Sequence, residues 1–160
     1  MRTSIVVLAA LIGVSAAGCG ATTRSQSTVP NPSFPALSSA VANFVSKEHG
    51  KDAGSQLTAQ LLRDNGELAA SAQVVGTKFD DNSASAPIAL TLAGPFTTRD
   101  IDTGQLRVRI APDGMDDWTF DLNLTLQFSN GSARRFLWRD VRLDNANPER
   151  VLTLAAAGLP

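Results

Sequence analysis

The sequence predicts an all-β fold, an antiparallel two-sheet β-sandwich of about seven or eight strands. The first observation is an unbroken alternation of apolar and polar residues from Trp118 to Phe128, which gives one buried and one solvated face. The second is the recurrence of such runs about every ten residues, with turn residues between them, as in sandwich domains.

The first strand falls within 38–47. Val41, Phe44 and Val45 would also fit one face of a helix, but an opening strand agrees better with the rest of the domain. The further strands are predicted near 57–61, 68–75, 88–92, 105–110, 118–128, 134–143 and 151–154.

Glycine-containing turns separate these runs. Asn-Gly pairs within 64–66 and 129–132 favour tight hairpins, because asparagine and glycine adopt the required left-handed backbone. A short helical turn is expected at 97–102, with Thr97 or Thr98 as its cap.

The N-terminal residues have the composition of a secretion signal. Arg2 precedes an apolar run from Ile5 to about Ala17, which ends in small residues. This run of about 14 residues is shorter than the roughly 20 that a membrane-spanning helix needs. Residues 1–18 are therefore predicted to be a cleaved leader.

The segment Ser15-Ala-Ala-Gly-Cys19 resembles the lipobox of bacterial lipoproteins, with Ala16 where leucine is the usual residue. The resemblance implies that Cys19 is acylated and becomes the first residue of the mature chain. It further implies a lipid-anchored location in the cell envelope, on the extracytoplasmic side. Because Gly20 follows the cysteine, this would be the outer membrane in a cell with two membranes. The alternative is a signal cut near Ala17 that leaves Cys19 as a free thiol.

Residues 19–36 are rich in Ser, Thr, Pro and Gly and are predicted to form a flexible tether after the lipidated cysteine. The folded domain is assigned to 37–160. Cys19 is the only cysteine, so no intramolecular disulfide is possible and core packing must stabilise the domain.

The composition disfavours two classes of function. The formal net charge is −1, whereas nucleic-acid binding calls for a dense basic surface, and Arg134-Arg135 is the longest basic cluster. His49 is the only histidine, and the chain has no Gly-x-Ser-x-Gly motif, so neither a hydrolase triad nor a zinc site can be assembled in the usual way. We therefore expect a non-enzymatic protein with a solvated His49 and no nucleic-acid partner.

Calcium is the one cofactor for which the sequence offers ligands, since it binds six to eight oxygens. The candidate ligands, with Asp52 as a further neighbour, are Asp80, Asp81, Asn82, Asp113, Asp116 and Asp117. The same residue types also form turns by bonding their own backbone, and both interpretations stay open.

Four segments in order resemble the PLAT (lipoxygenase-homology) β-sandwich modules: His49–Ser55, 57–70, Phe79–Ser83 and Trp118–Phe120. The resemblance covers about residues 40–155. It implies a platform for membranes or protein partners, sometimes with calcium. The first loop departs from the family pattern, because Asp52 is its only aspartate where acidic clusters are common.

The two tryptophans are expected in the core, Trp118 at the start of its strand and Trp138 on the same face as Phe136. These features together favour a binding or structural lipoprotein that presents its domain to a protein or lipid partner. The alternatives are a calcium-dependent membrane-binding module and, third, an envelope hydrolase.

Overall fold

The computed structural model describes residues 33–155. Its strands are β1 (Leu37–Ser46), β2 (Gln56–Leu62), β3 (Leu68–Val74), β4 (Ile88–Leu92), β5 (Gln105–Ala111), β6 (Asp117–Phe128), β7 (Ala133–Asp144) and β8 (Glu149–Thr153). The all-β antiparallel class is confirmed, and so is the choice of a strand for the first element. No helix within 33–155 is long and apolar enough to cross a bilayer.

The division into two separate sheets is not confirmed. All eight strands belong to one sheet with the order β7-β6-β1-β4-β3-β2-β5-β8. The reason is β4, which pairs with β1 through Ile88–Leu90 and with β3 through Thr91 and Leu92. One short strand therefore continues the hydrogen bonding from one half of the domain to the other, and the sheet curves until its edge strands β7 and β8 approach each other.

An aromatic cluster fills one part of the core. Phe44, Trp118 and Phe120 are completely buried, and their ring centroids lie 4.0 to 5.3 Å apart. The indole nitrogen of Trp118 donates a hydrogen bond to Ser46 Oγ at 2.9 Å, which satisfies its one polar atom. The predicted burial of Trp118 is thus confirmed.

Trp138 only partly follows the prediction. Phe136 is buried, but Trp138 is half-buried, with its ring stacked 6.0 Å from that of Phe136. Trp138 lies on β7, an edge strand of the sheet, so no hydrogen-bonded neighbour covers its outer side. The alternation could not reveal this, because an edge strand and a central strand show the same period.

The loops fall into two groups at opposite ends of the strands. The loop end comprises the connections 47–55, 75–87, 112–116 and 145–148. The tether end comprises the connections 63–67, 93–104 and 129–132 together with the N-terminal residues 33–36. This separation follows from the antiparallel order, because alternate connections of such a sheet lie at the same end.

The last residues of the predicted tether are bound to the domain. Ala36 exchanges hydrogen bonds with Ser129, and Pro35 O accepts one from Thr98 N at 3.0 Å. The predicted helical turn is a 3-10 turn, Thr98–Ile101, and Thr97 is its N-cap, with both Thr97 N and Oγ1 donating to Asp100 Oδ2. Residues 1–32, including Cys19 and the predicted leader, lie outside the described residues.

Candidate functional site

The loop end is the candidate site, because it brings together most of the chemically distinctive residues singled out from the sequence. Hydrogen bonds join its loops to one another. Gly50 N donates to Asp81 Oδ1 at 2.7 Å, and Phe79 N donates to Lys51 O at 2.9 Å, which ties 47–55 to 75–87. A side chain at Gly50 would collide with the carbonyl oxygen of Phe79, so this close approach requires glycine.

The other two loops are joined in the same way. Asn145 Nδ2 donates to Gly114 O at 2.6 Å, and Asp116 N donates to Asn145 Oδ1 at 2.9 Å. Ser55 Oγ accepts a bond from Asp113 N, which connects this pair of loops to the first pair. The four loops therefore form one hydrogen-bonded surface.

Lys51 belongs to the first of these loops, and its side chain is completely buried. Its Nζ donates to the carbonyl oxygens of Asp52 at 2.7 Å and Ser55 at 2.5 Å, and lies 5.4 Å from the centre of the Phe79 ring. Burial lowers the pKa of the Lys51 ammonium, while the negative charges of Asp116 and Asp52 act in the opposite direction. The loop is thus folded around an internal cation.

Two negative charges favour the charged form of Lys51, and the buried carboxylate of Asp116 has a larger effect than that of Asp52. Asp116 is 5% exposed, and its Oδ2 has no hydrogen-bond partner among residues 33–155. A buried carboxylate is costly without an opposite charge nearby. The Lys51 ammonium is a nearby positive charge that acts on Asp116, although the two groups form no ion pair within 4.0 Å.

The structure places the predicted calcium ligands on this end but gives them separate partners. Asp80 pairs with Lys78 at 2.9 Å, and Asp81 accepts the bond from Gly50. Asn82 adopts a left-handed backbone with φ of 51°, as asparagine does in turns.

The second loop behaves similarly. Asp113 lies against Gly54, Asp116 is buried near Lys51, and Asp117 accepts two hydrogen bonds from Arg142 at 2.7 and 2.9 Å. Within 33–155, no three histidine, cysteine, aspartate or glutamate side chains are grouped so that they could hold a metal ion.

We expect calcium to leave the thermal stability of the domain unchanged, because the candidate ligands within 33–155 are not grouped around one point. Thermal unfolding in excess calcium and then in chelator checks this expectation. A ligand present at 100 times its Kd stabilises a protein by about 2.7 kcal/mol, so specific binding would raise Tm by several degrees. Such a rise would contradict the expectation.

A second feature of the loop end is a cleft of about 390 Å³ around His49. It is lined by Lys47, Glu48, His49, Asn82, Thr119 and Asp140. His49 is exposed, in agreement with the sequence prediction.

A β-bulge shapes one wall of this cleft. Phe120 pairs with Val141, but Leu122 pairs with Trp138, so β7 has one extra residue opposite Asp121. Asp140 lies in this bulge and has a left-handed backbone with φ of 51°. Its backbone N–H donates to Asp121 Oδ1 at 3.0 Å. Lys47 Nζ lies 2.8 Å from Asp121 Oδ2. The Asp121 carboxylate therefore connects Lys47 and Asp140, two residues that line the cleft.

The roles of Lys51, Asp121 and Asp140 could not be predicted from the sequence. A lysine in a polar loop is usually solvated, and the bulge depends on the register of two strands rather than on a local motif. No protein-family model matches this chain, and no curated protein matches it significantly.

Proposed function

We propose that this chain is a lipid-anchored protein of the bacterial cell envelope whose domain binds a partner protein at the loop end, without catalysing a reaction. The observation that carries the proposal is the position of the two ends. The chain enters the domain at Pro35 and Ala36, which are bound to the tether end. The loop end lies roughly 35 Å away, at the far end of strands such as the 12-residue β6.

The surface of the loop end supports recognition of a protein. Met115 is 95% exposed and Val75 is 66% exposed, so two apolar side chains stand free at this end. Exposed acidic residues occur on the connections of the same end: Glu48, Asp52, Asp80, Asp81 and Asp113. A partner with an apolar patch bordered by basic residues would complement this surface.

The internal connections of the loops also favour binding. Lys51 and the bonds from Gly50 and Asn145 hold the loops together before any partner arrives. A preorganised surface loses little conformational entropy on association, so more of the contact energy appears as affinity.

Photo-crosslinking in intact cells tests this function. A photoreactive phenylalanine analogue at Val75 should crosslink one defined protein, and Met115→Arg in the same chain should abolish that crosslink by placing a charge in the contact. The analogue at Gln127, an exposed position near the tether end of β6, is the matched control and should give no such product.

Cys19→Ser is the control for the anchor. It removes the thiol that the lipobox resemblance identifies as the acylation site, so it should abolish incorporation of a labelled fatty acid into the protein. Equal crosslinking from Val75 and Gln127, or a crosslink that survives Met115→Arg, would contradict binding at the loop end. Fatty-acid labelling of the Cys19→Ser chain equal to that of the unchanged chain would contradict the anchor.

A further inference from the structure

Seven arginines gather on the three strands where the two edges of the sheet approach each other. This group, the arginine seam, consists of Arg107 and Arg109 on β5, Arg134, Arg135, Arg139 and Arg142 on β7, and Arg150 on β8. No lysine belongs to it, since the three lysines of the chain, Lys47, Lys51 and Lys78, are in loop-end connections.

The fold brings these strands together although β5 and β7 are distant in the sequence. β8 pairs with β5, which sets Arg107 opposite Val151 and Arg109 opposite Glu149. The short connection 145–148 joins β8 to β7, and Pro148 O accepts a hydrogen bond from Ile110 N at 2.9 Å, which holds this connection against β5. Four of these arginines lie on the outer faces of their strands: Arg107, Arg109, Arg135 and Arg142. Arg134 and Arg150 lie opposite the buried Leu126 and Val108, and they are exposed on the edge strands β7 and β8.

Carboxylates neutralise only part of the seam. Arg142 pairs with Asp117 and Asp144, and Arg107 pairs with Glu149 at 3.5 Å. Two further acidic side chains lie nearby: Asp140, beside Arg139 in the chain, and Asp121, which binds Lys47.

Among residues 33–155, five arginines of the seam have no carboxylate oxygen within 4.0 Å: Arg109, Arg134, Arg135, Arg139 and Arg150. All five are exposed. The seam therefore carries an excess of positive charge on a domain whose loop end is acidic.

Two apolar side chains lie on the same strand faces as outward-facing arginines. Val151 is 46% exposed and lies opposite Arg107, and Leu137 is half-buried two residues from Arg135. Trp138 is half-buried on the other face of the edge strand β7, stacked on Phe136. A guanidinium group can donate two parallel hydrogen bonds to the oxygens of one phosphate. Tryptophan and aliphatic side chains favour the boundary between lipid head groups and acyl chains. Both chemistries occur together at the surface of an anionic bilayer.

We propose that the arginine seam docks on the anionic surface of the bilayer in which the protein is anchored. This inference rests on the proposed lipid anchor at Cys19, which would hold the domain near that surface and raise the effective concentration of lipid. The seam runs along the strands rather than across their ends, so docking leaves the loop end accessible to a partner protein.

Binding of the unacylated mature chain to vesicles tests the docking. This chain comprises residues 19–160 with Cys19→Ser, and the vesicles contain phosphatidylcholine either alone or mixed with phosphatidylglycerol. Trp138 reports contact, because Trp118 is completely buried. Brominated acyl chains should quench Trp138 only in the anionic vesicles, and Trp138→Phe should remove the signal. High salt should release the protein, because it screens exposed charges.

Paired variants locate the surface. Each arginine near an anionic surface contributes a factor of about five in binding, so Arg135→Gln with Arg139→Gln should weaken binding roughly 25-fold. Arg99→Gln with Lys78→Gln removes the same net charge from the two ends of the domain and should have a much smaller effect. Circular dichroism of each pair checks that the fold is retained.

Two results would overturn the docking. They are equal binding to both kinds of vesicle and equal losses in the two pairs of variants. Because the tested chain is not acylated, failure here leaves the anchor untouched, and failure of the anchor appears separately in fatty-acid labelling.

Discussion

Replacing Lys51 by methionine is expected to lower the free energy of unfolding by about 3–5 kcal/mol, because two hydrogen bonds from a charged donor are lost at roughly 1.5–3 kcal/mol each. The carbonyl oxygens of Asp52 and Ser55 would lose their donor, and the buried carboxylate of Asp116 would lose a nearby positive charge. Urea denaturation followed by fluorescence measures the change.

Lys78→Met is the matched control, because Lys78 is 60% exposed and its ion pair with Asp80 is solvated. It should change stability by less than about 1 kcal/mol. Adding Asp116→Asn to Lys51→Met should restore part of the loss, since the uncompensated charge is removed. Similar losses for Lys51→Met and Lys78→Met would show that Lys51 does not hold the loop end together.

Phe44→Ala is the second large effect, with an expected loss of about 3–5 kcal/mol from burial and the cavity left behind. Phe44 is completely buried on β1, and its ring contacts those of Phe79, Trp118 and Phe120. The cluster lies beneath the loops that carry Lys51, so the variant should also change the fluorescence of Trp118.

Phe34→Ala removes the same side chain from a different environment. Phe34 is 46% exposed at the tether end, where it lies under the guanidinium of Arg99. Its loss should cost less than about 1 kcal/mol. If Phe44→Ala were equally mild, the aromatic cluster would not be the main support of the loop end.

The parts of the fold that could be predicted from the sequence are those that depend on patterns among neighbouring residues. The alternation in β6 depends only on which face of a strand is buried, so Phe120 to Phe128 could be assigned to the core without knowing their neighbours. The capping interaction of Thr97 and Asp100 is equally local, since both residues lie within one turn. The half-burial of Trp138 could not be predicted, because it depends on β7 being at the edge of the sheet.

The candidate site could be predicted only in part from the sequence. Aspartates and asparagine in 80–82 and 113–117 were identified as loop residues, and they do lie at one end of the sheet. Their use as calcium ligands stays a prediction. The role of Lys51 was not visible, because its burial results from packing against Phe79 and the loop carbonyls.

The sequence by itself determined the strands, the tight turns and the all-β class, because each depends on side-chain period and turn chemistry over a few neighbouring residues. Only the tertiary structure decided that β4 makes one sheet of the two predicted, that an ammonium lies buried among the acidic loops, and that the arginine-bearing strands β7 and β8 are the two edges of the sheet. The physical reason is that these features arise from pairing between segments far apart in the chain, where register and topology, rather than local pattern, determine which residues meet.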